Sequence, residues 1–148
     1  MALWQFEFSI IPQGRDGRGF SNNDIISWKN VNISIDIDST LSLILPKKEN
    51  WSDDIKLYGE NDSTSVELIY EDSNLNEILC RLDLRNLKKQ LLIDILDFVK
   101  VINGDIFYDG VIIELNLENI VEIMTNSKVA RFCSDPGQYL SSFGGNID

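Results

Sequence analysis

The sequence predicts an α+β domain with a mainly antiparallel sheet and helices packed from its C-terminal third. Short stretches of alternating apolar and polar residues, separated by polar turns, fill the first two thirds of the chain and are typical of strands joined as hairpins. From Leu87 onward the apolar spacing changes to three and four residues, which is typical of amphipathic helices. With 148 residues, 43% of them hydrophobic, we expect a single domain over residues 1–148.

The strands are predicted in the following order. Trp4–Ile10 alternates between apolar and polar residues and ends at Pro12. Val31–Ile37 alternates in the same way, which predicts a second strand with one solvent-exposed face. Three further strands are predicted at Ile55–Tyr58, Val66–Tyr70 and Ile78–Leu84. The turns between these last three are short and acidic, so the strands form a meander of hairpins.

The main helix is predicted over Leu87–Ile102, with Asn86 as its N-cap and Asn103-Gly104 as its end. The side chains of Leu91, Ile95, Phe98 and Ile102 lie on one face of this helix and should be buried. Three more elements complete the prediction: a hairpin around Tyr108-Asp109-Gly110, a helix capped by Asn116, and a last helix from Ser127 to Asp135.

The net charge is −11, from 24 acidic and 13 basic residues. Most of the excess lies between Asn32 and Cys80, where eleven acids face only three bases. Nucleic acid and anionic membranes repel such a chain. The charge therefore favours a cationic protein as the partner and argues against a nucleic acid or a membrane.

The chain contains no histidine, which removes the commonest general base and the commonest zinc ligand. Its two cysteines, Cys80 and Cys133, both lie in apolar patterns, so we interpret them as buried free thiols in a reducing cytoplasm. The N-terminus lacks the basic and apolar regions of a signal peptide, and no apolar run approaches the length of a membrane span. We therefore expect a cytoplasmic protein that has no catalytic residue, cofactor or metal.

A row of charges marks the strand at Glu77–Asn86, where Arg81, Asp83 and Arg85 follow one another at every second position. Such residues point the same way on a strand. A charge ladder with cross-strand acids such as Glu67 is the favoured interpretation. An anion site formed by the two arginines is the alternative.

Two acidic patterns suggest an enzyme as an alternative. The sequence Asp36-Ile-Asp38-Ser-Thr40 and the sequence Gly104-Asp105 to Asp109 resemble the first and last motifs of haloacid-dehalogenase-type phosphatases. That resemblance implies a carboxylate nucleophile and a bound magnesium ion. Against it, the stretch before the first motif carries polar residues, and the segment before Gly104 has the spacing of a helix and not of a buried parallel strand.

The chain as a whole resembles small bacterial proteins that occur as immunity partners of polymorphic toxins. The matching stretches are LWQFEFSIIP, WSDD followed by KLYG, RLDLRN and NSKVARFCSDPGQYL. The resemblance implies an α+β fold and a stoichiometric inhibitor, and it transfers no catalytic residue. A non-catalytic adaptor, with a homodimer formed through a sheet edge, is the third hypothesis.

For the immunity hypothesis, we expect the partner to bind a negative rim made by a charged loop and the neighbouring turns. Its candidate residues are Trp51, Asp53, Asp54, Glu60, Asp62, Glu71 and Asp72. This expectation assumes that the turns share one edge of the sheet.

Overall fold

A computed structural model describes residues 2–14, 27–49 and 52–134 of the chain. The strands of these ranges are β1 Gln5–Pro12, β2 Ile55–Gly59, β3 Ser65–Glu71, β4 Asn74–Asp83, β5 Gly104–Tyr108 and β6 Val111–Ile113. The helices are α1 Ile37–Ser42, α2 Lys89–Val101, α3 Leu117–Thr125 and α4 Lys128–Ser134. The strands form one sheet in the order β2-β3-β4-β1-β5-β6, and every neighbouring pair is antiparallel. The predicted α+β fold is confirmed.

Two tight turns fix the register of the hairpins. Asp72 and Ser73 join β3 to β4, and Asp109 and Gly110 join β5 to β6. All four residues have positive φ, between 50° and 78°. Two central residues of this kind are typical of type I′ turns, whose twist matches that of the flanking strands. The turns predicted from the sequence at these two places are confirmed.

The helices cover one face of the sheet, which we call the inner face. The inner face presents Phe6, Phe8 and Ile10 of β1 and the alternate residues of β3 and β4 that pair with them. Phe98 and Ile95 of α2 pack into the same cluster and are almost completely buried. Burying large apolar side chains is the main source of stability in a domain of this size.

The main helix differs from its prediction at the N-terminus. α2 begins at Lys89, and its N-cap is Lys88, whose side chain makes no capping hydrogen bond. Asn86 lies instead in the turn after β4, where its backbone N–H donates to the Asp83 carbonyl. The predicted burial is confirmed for Ile95, Phe98 and Ile102, whereas Leu91 is only half-buried.

The end of α2 follows the prediction. Asn103 has a positive φ of 56°, as residues that end helices often do. At Gly104 a Cβ atom would lie 2.9 Å from the Cγ2 atom of Ile10. The glycine therefore allows β5 to start directly after the helix, in close contact with β1. The Asn116 cap is also confirmed, since its side chain accepts a hydrogen bond from the Asn119 N–H.

The strand predicted at Val31–Ile37 is wrong. Residues 31–36 form no strand with any residue that the structure describes, and α1 starts at Ile37. The apolar residues of the stretch, Val31, Ile33 and Ile35, still pack against the core, and the residues between them are exposed. Alternation reports which side chains face the core, but it does not report whether the backbone has a neighbouring strand to bond with.

Candidate functional site

The second face of the sheet, which we call the outer face, carries apolar and charged side chains side by side. One row crosses all six strands and consists of Leu57, Glu67, Leu79, Ser9, Phe107 and Ile112. A second row contains Ser65, Arg81 and Glu7, and a third begins with Ile55, Ile69 and Glu77. Each of the four helices contributes apolar side chains to the inner-face cluster, and none of these outer-face residues belongs to it.

Arg81 lies near the centre of the outer face and bridges two neighbouring strands. Its Nε atom lies 2.8 Å from Glu7 of β1, and its Nη1 atom lies 2.9 Å from Glu67 of β3. Only 17% of the arginine side chain is exposed. This burial disfavours the charged form, but the hydrogen bonds to Glu7 and Glu67 outweigh it, and the pKa of Arg81 is raised. The expected pairing with Glu67 is confirmed.

Asp83 and Arg85 form a separate pair at the corner of the outer face. Arg85 lies beyond the end of β4, and its guanidinium group curls back to donate to both oxygens of Asp83, at 3.0 and 2.7 Å. The same guanidinium group lies 3.9 Å above the ring of Trp4. Burial raises the pKa of Asp83, but the hydrogen bonds from Arg85 outweigh burial, so this pKa lies below its ordinary value.

These contacts favour the charge ladder over the anion site. Arg81 and Arg85 bind different carboxylates, so their guanidinium groups do not converge on one position. A shared anion site would need both groups to point at the same place. The ladder differs from the prediction in one respect: Arg85 is part of a turn and not of the strand.

The predicted acidic rim does not exist as one edge, because an antiparallel meander places successive turns at opposite ends of the sheet. Asp53 and Asp54 precede β2, and Glu71 and Asp72 end β3, so these four residues lie at the same end. We call them the acidic end. The Asp54 carbonyl accepts the Tyr70 N–H there, at 2.7 Å.

Two of the other candidates lie at the opposite end of the sheet, and the third is not described. Glu60 and Asp62 occupy the turn between β2 and β3. Glu60 is paired with Lys48 at 2.6 Å, and the Asp62 carbonyl accepts hydrogen bonds from Trp4 and Arg85. Trp51 lies outside the described residues. The structure therefore brings together four of the seven candidates.

The carboxylates of the acidic end have fewer ion-pair partners than those of Glu60 and Asp62 at the opposite end. All four of its residues are exposed. Within residues 2–14, 27–49 and 52–134, no cation forms an ion pair with any of the four carboxylates. At the opposite end Glu60 is paired with Lys48, so the acidic end carries more carboxylates without an ion pair among the described residues.

The residues of the phosphatase-like pattern have structural contacts. Asp36 caps α1 by accepting a hydrogen bond from the Ser39 N–H. Asp38 accepts from the buried Tyr58 hydroxyl at 2.5 Å and pairs with Lys47 at 2.9 Å. Hydrogen bonds from these partners lower the pKa of both carboxyls, with Ser39 the main cause for Asp36 and Tyr58 for Asp38.

The fold also departs from that of the phosphatase family. The sheet is antiparallel throughout, whereas the resemblance implies a parallel sheet. Asp105 lies on β5 and Asp109 lies in a type I′ turn. Among the described residues, no group of three or more carboxylates, thiols or imidazoles is arranged to hold a metal ion.

A lysine pocket lies next to the acidic end, and the sequence did not indicate it. Its volume is about 580 Å³, and its lining is Lys47, Lys48, Glu49, Ser52, Asp53 and Lys56. The three bases between Asn32 and Cys80 therefore all meet at one place. Lys47 and Lys48 each bind a carboxylate of this chain, and the Lys56 Nζ atom lies 5.0 Å above the Tyr70 ring. The lysines are thus engaged by the protein itself.

The two cysteines are free thiols with raised pKa values. Cys80 is completely buried, and burial strongly raises the pKa of its thiol. Cys133 is half-buried, and burial raises its pKa as well. Both are free thiols, as predicted, but the predicted burial is confirmed for Cys80 alone. A thiol acts as a nucleophile through its thiolate form, which a raised pKa suppresses.

Comparisons with known proteins identify no relative: no protein-family model, no curated protein and no solved structure matches the chain. Within the described residues, every helix is too short or too polar to cross a membrane.

Proposed function

We propose that the chain is a stoichiometric binding protein of the immunity type, which neutralises a cationic toxin domain in the bacterial cytoplasm. The observation that carries the proposal is the acidic end. Asp53, Asp54, Glu71 and Asp72 present four exposed carboxylates on two adjoining chain segments, without a described cation paired to them.

Charge of this kind has a specific effect on association. A protein with a net charge of −11 attracts a positive partner over about one Debye length, roughly 8–10 Å at physiological salt. A concentrated patch also orients the encounter and increases the association rate. Fast capture suits an inhibitor that must bind a toxin before the toxin acts.

The chemistry of the chain supports a binding role over catalysis. The chain has no histidine, its cysteine thiols have raised pKa values, and the carboxylates of the phosphatase-like pattern bond to neighbouring side chains. We therefore expect that replacing Asp36 and Asp38 by Asn leaves toxin neutralisation intact. Magnesium-dependent hydrolysis of a phosphate ester by the unmodified protein, lost in the double variant, would contradict the proposal.

The test begins with a search beside the gene of this chain for a gene that encodes a toxin-like product. Co-expression should restore growth to cells that produce the toxin domain, and the two purified proteins should form a complex of fixed stoichiometry. A neighbouring gene for such a product that the chain neither binds nor neutralises would overturn the immunity function.

The role of charge is tested by two matched sets of substitutions. The first set neutralises the acidic end through Asp53→Asn, Asp54→Asn, Glu71→Gln and Asp72→Asn. The control set removes the same number of negative charges through Glu60→Gln, Asp62→Asn, Glu118→Gln and Glu122→Gln. The first set should slow association at low salt and flatten its salt dependence more than the control set does. If both sets change the association rate and its salt dependence equally, the net charge of the protein alone attracts the partner, and the acidic end has no special role.

A further inference from the structure

The lysine pocket is built on the edge of the sheet. Lys47 pairs with Tyr58 of β2, and the Lys48 N–H donates to the Leu57 carbonyl of the same strand at 2.8 Å. Lys56 lies on β2 itself. Because backbone bonds to a sheet hold a segment in place, the three lysines are brought to one cavity by the fold and not by a ligand.

The contacts that engage the lysines leave many of their donors unused. Lys47 binds Asp38 at 2.9 Å, and Lys48 binds Glu60 at 2.6 Å, one carboxylate each. An ammonium group has three N–H donors, so each of these lysines can also bind an anion. All four side chains are between 43% and 60% exposed, and ion pairs with this exposure are weak. A ligand can therefore share these lysines at little cost.

Two of the lysines act on the same carboxylate. The Tyr58 hydroxyl is the main cause of the lowered pKa of Asp38, and Lys47 and Lys56 lower this pKa as well. Lys56 forms no ion pair of its own with any residue of the described ranges. Its Nζ atom lies instead 5.0 Å from the centre of the Tyr70 ring. Within the described part of the chain, the pocket thus holds one more ammonium group than its ion pairs compensate.

The pocket has the size and the polar groups of a ligand site. Its volume of about 580 Å³ lies in the range of roughly 300–1,000 Å³ that is typical of small-molecule pockets. The Ser52 hydroxyl oxygen accepts the Asp54 N–H at 3.2 Å, so its own proton is available for a ligand. Glu49 and Asp53 also line the pocket, and their carboxylates accept hydrogen bonds from hydroxyl groups. The lining therefore combines donors for an anion with acceptors for hydroxyl groups.

We propose that the lysine pocket binds a small phosphate monoester whose uncharged part carries hydroxyl groups. Lysine is a common phosphate ligand, because its ammonium group acts as a compact point charge. The three lysines and Ser52 bind the phosphate, and Glu49 and Asp53 bind the hydroxyl groups and repel a second phosphate. The inference goes beyond the proposed function and does not depend on it, since its test contains no toxin.

The probe for the test is glycerol phosphate, titrated into the full-length protein at constant ionic strength and followed by the backbone amide NMR spectrum. The signals of residues 47–49 and 52–56 should shift saturably. Inorganic phosphate should shift the same signals with lower affinity, and glycerol, which lacks the charge, should leave them in place. The absence of a saturable shift in these residues with glycerol phosphate would overturn the inference, as would equal binding of glycerol.

Variants of Lys56 test whether the pocket, and not the charge of the whole protein, holds the phosphate. Lys56→Gln should weaken the binding of glycerol phosphate about two- to fivefold, as expected for a half-buried charge contact. Lys56→Arg keeps the charge and should retain the affinity. Lys100→Gln, at an exposed position of α2, removes the same charge and is the control. Equal losses for Lys56→Gln and Lys100→Gln would contradict binding in the pocket.

The carboxylates of the pocket are tested by the double variant Glu49→Gln with Asp53→Asn. Removing their repulsion should increase the affinity for inorganic phosphate and reduce the advantage of glycerol phosphate over it. Glu118→Gln with Glu122→Gln on α3 removes the same charge away from the pocket and should leave the ratio of the two affinities unchanged. An unchanged ratio in the pocket variant would overturn the assignment of Glu49 and Asp53 to the hydroxyl groups.

Discussion

The two faces of the sheet are similar in sequence character, but the apolar cluster to which the helices contribute lies on only one of them. Along β1, Phe6, Phe8 and Ile10 face the helices, while Glu7 and Ser9 face outward. The outer face is nevertheless not a simple polar surface, because Leu79 and Phe107 of neighbouring strands lie in the same row as Ser9. The comparison shows that apolar content alone does not distinguish the face that carries the main core from the other face of the sheet. The covering layer of helices makes that distinction.

The faces also differ in how polar groups are used. The inner face is an almost continuous apolar cluster, in which the helices contribute residues such as Phe98 and Ile120. The outer face holds a guanidinium group and two carboxylates in a partly desolvated setting. Removing an apolar residue and removing one partner of an ion cluster should therefore destabilise the protein for different reasons, which the following substitutions separate.

The largest effect is expected on the inner face. Phe98→Ala should lower the free energy of unfolding by about 3–5 kcal/mol, because it leaves a cavity in the core. Chemical denaturation provides the measurement. Val101→Ala on the same helix is the control, since Val101 is 49% exposed, and its effect should be far smaller. Equal costs for the two variants would contradict the assignment of Phe98 to the core.

On the outer face, Arg81→Met should lower the free energy of unfolding by about 1.5–3 kcal/mol, the range for hydrogen bonds to charged groups. The substitution leaves Glu7 and Glu67 close together without their shared cation. Adding Glu7→Gln and Glu67→Gln to the same protein should recover most of the loss, because the repulsion disappears. If the triple variant is no more stable than Arg81→Met, the loss arises from packing of the arginine chain and not from charge.

The corner of the outer face should give stability a dependence on pH. Since the pKa of Asp83 is lowered by folding, its charged form stabilises the protein above the ordinary aspartate pKa of 3.8, and this contribution is lost as the pH falls through the lowered value. Asp83→Asn should cost about 1–2 kcal/mol at neutral pH. Denaturation at several pH values should show the difference shrinking in acid. A constant difference would exclude the charge of Asp83 as its cause, and Asp97→Asn on α2 is the exposed control.

The smallest effect on stability is expected at the acidic end. Neutralising Asp53, Asp54, Glu71 and Asp72 should change the free energy of unfolding by less than about 1 kcal/mol, because exposed charges contribute little. A large loss in denaturation measurements would show that these carboxylates stabilise the fold, and it would weaken their assignment to partner steering.

Local patterns in the sequence were sufficient for most of the secondary structure. Alternation identified β1 to β4, and the change to helical spacing identified α2, because both patterns record which side chains face the core. Turn chemistry located the loops at Asp72-Ser73 and Asp109-Gly110, and Asn116 marked the start of α3. The pairing of Arg81 with Glu67 was also accessible, since neighbouring strands of a meander place such residues side by side.

The tertiary structure decided everything that depends on a partner distant in the sequence. Val31–Ile35 alternates like a strand, yet none of the described strands pairs with it, so only its packing and not its pairing follows from the pattern. The acidic turns are near each other in the sequence, but the antiparallel path sends Glu60 and Asp72 to opposite ends. The composition of the outer face also depends on the tertiary structure. Its row joins residues from Ser9 to Ile112, and only the strand order brings β1 between β4 and β5. Sequence patterns report local geometry, whereas a binding surface depends on which segments the whole chain brings together.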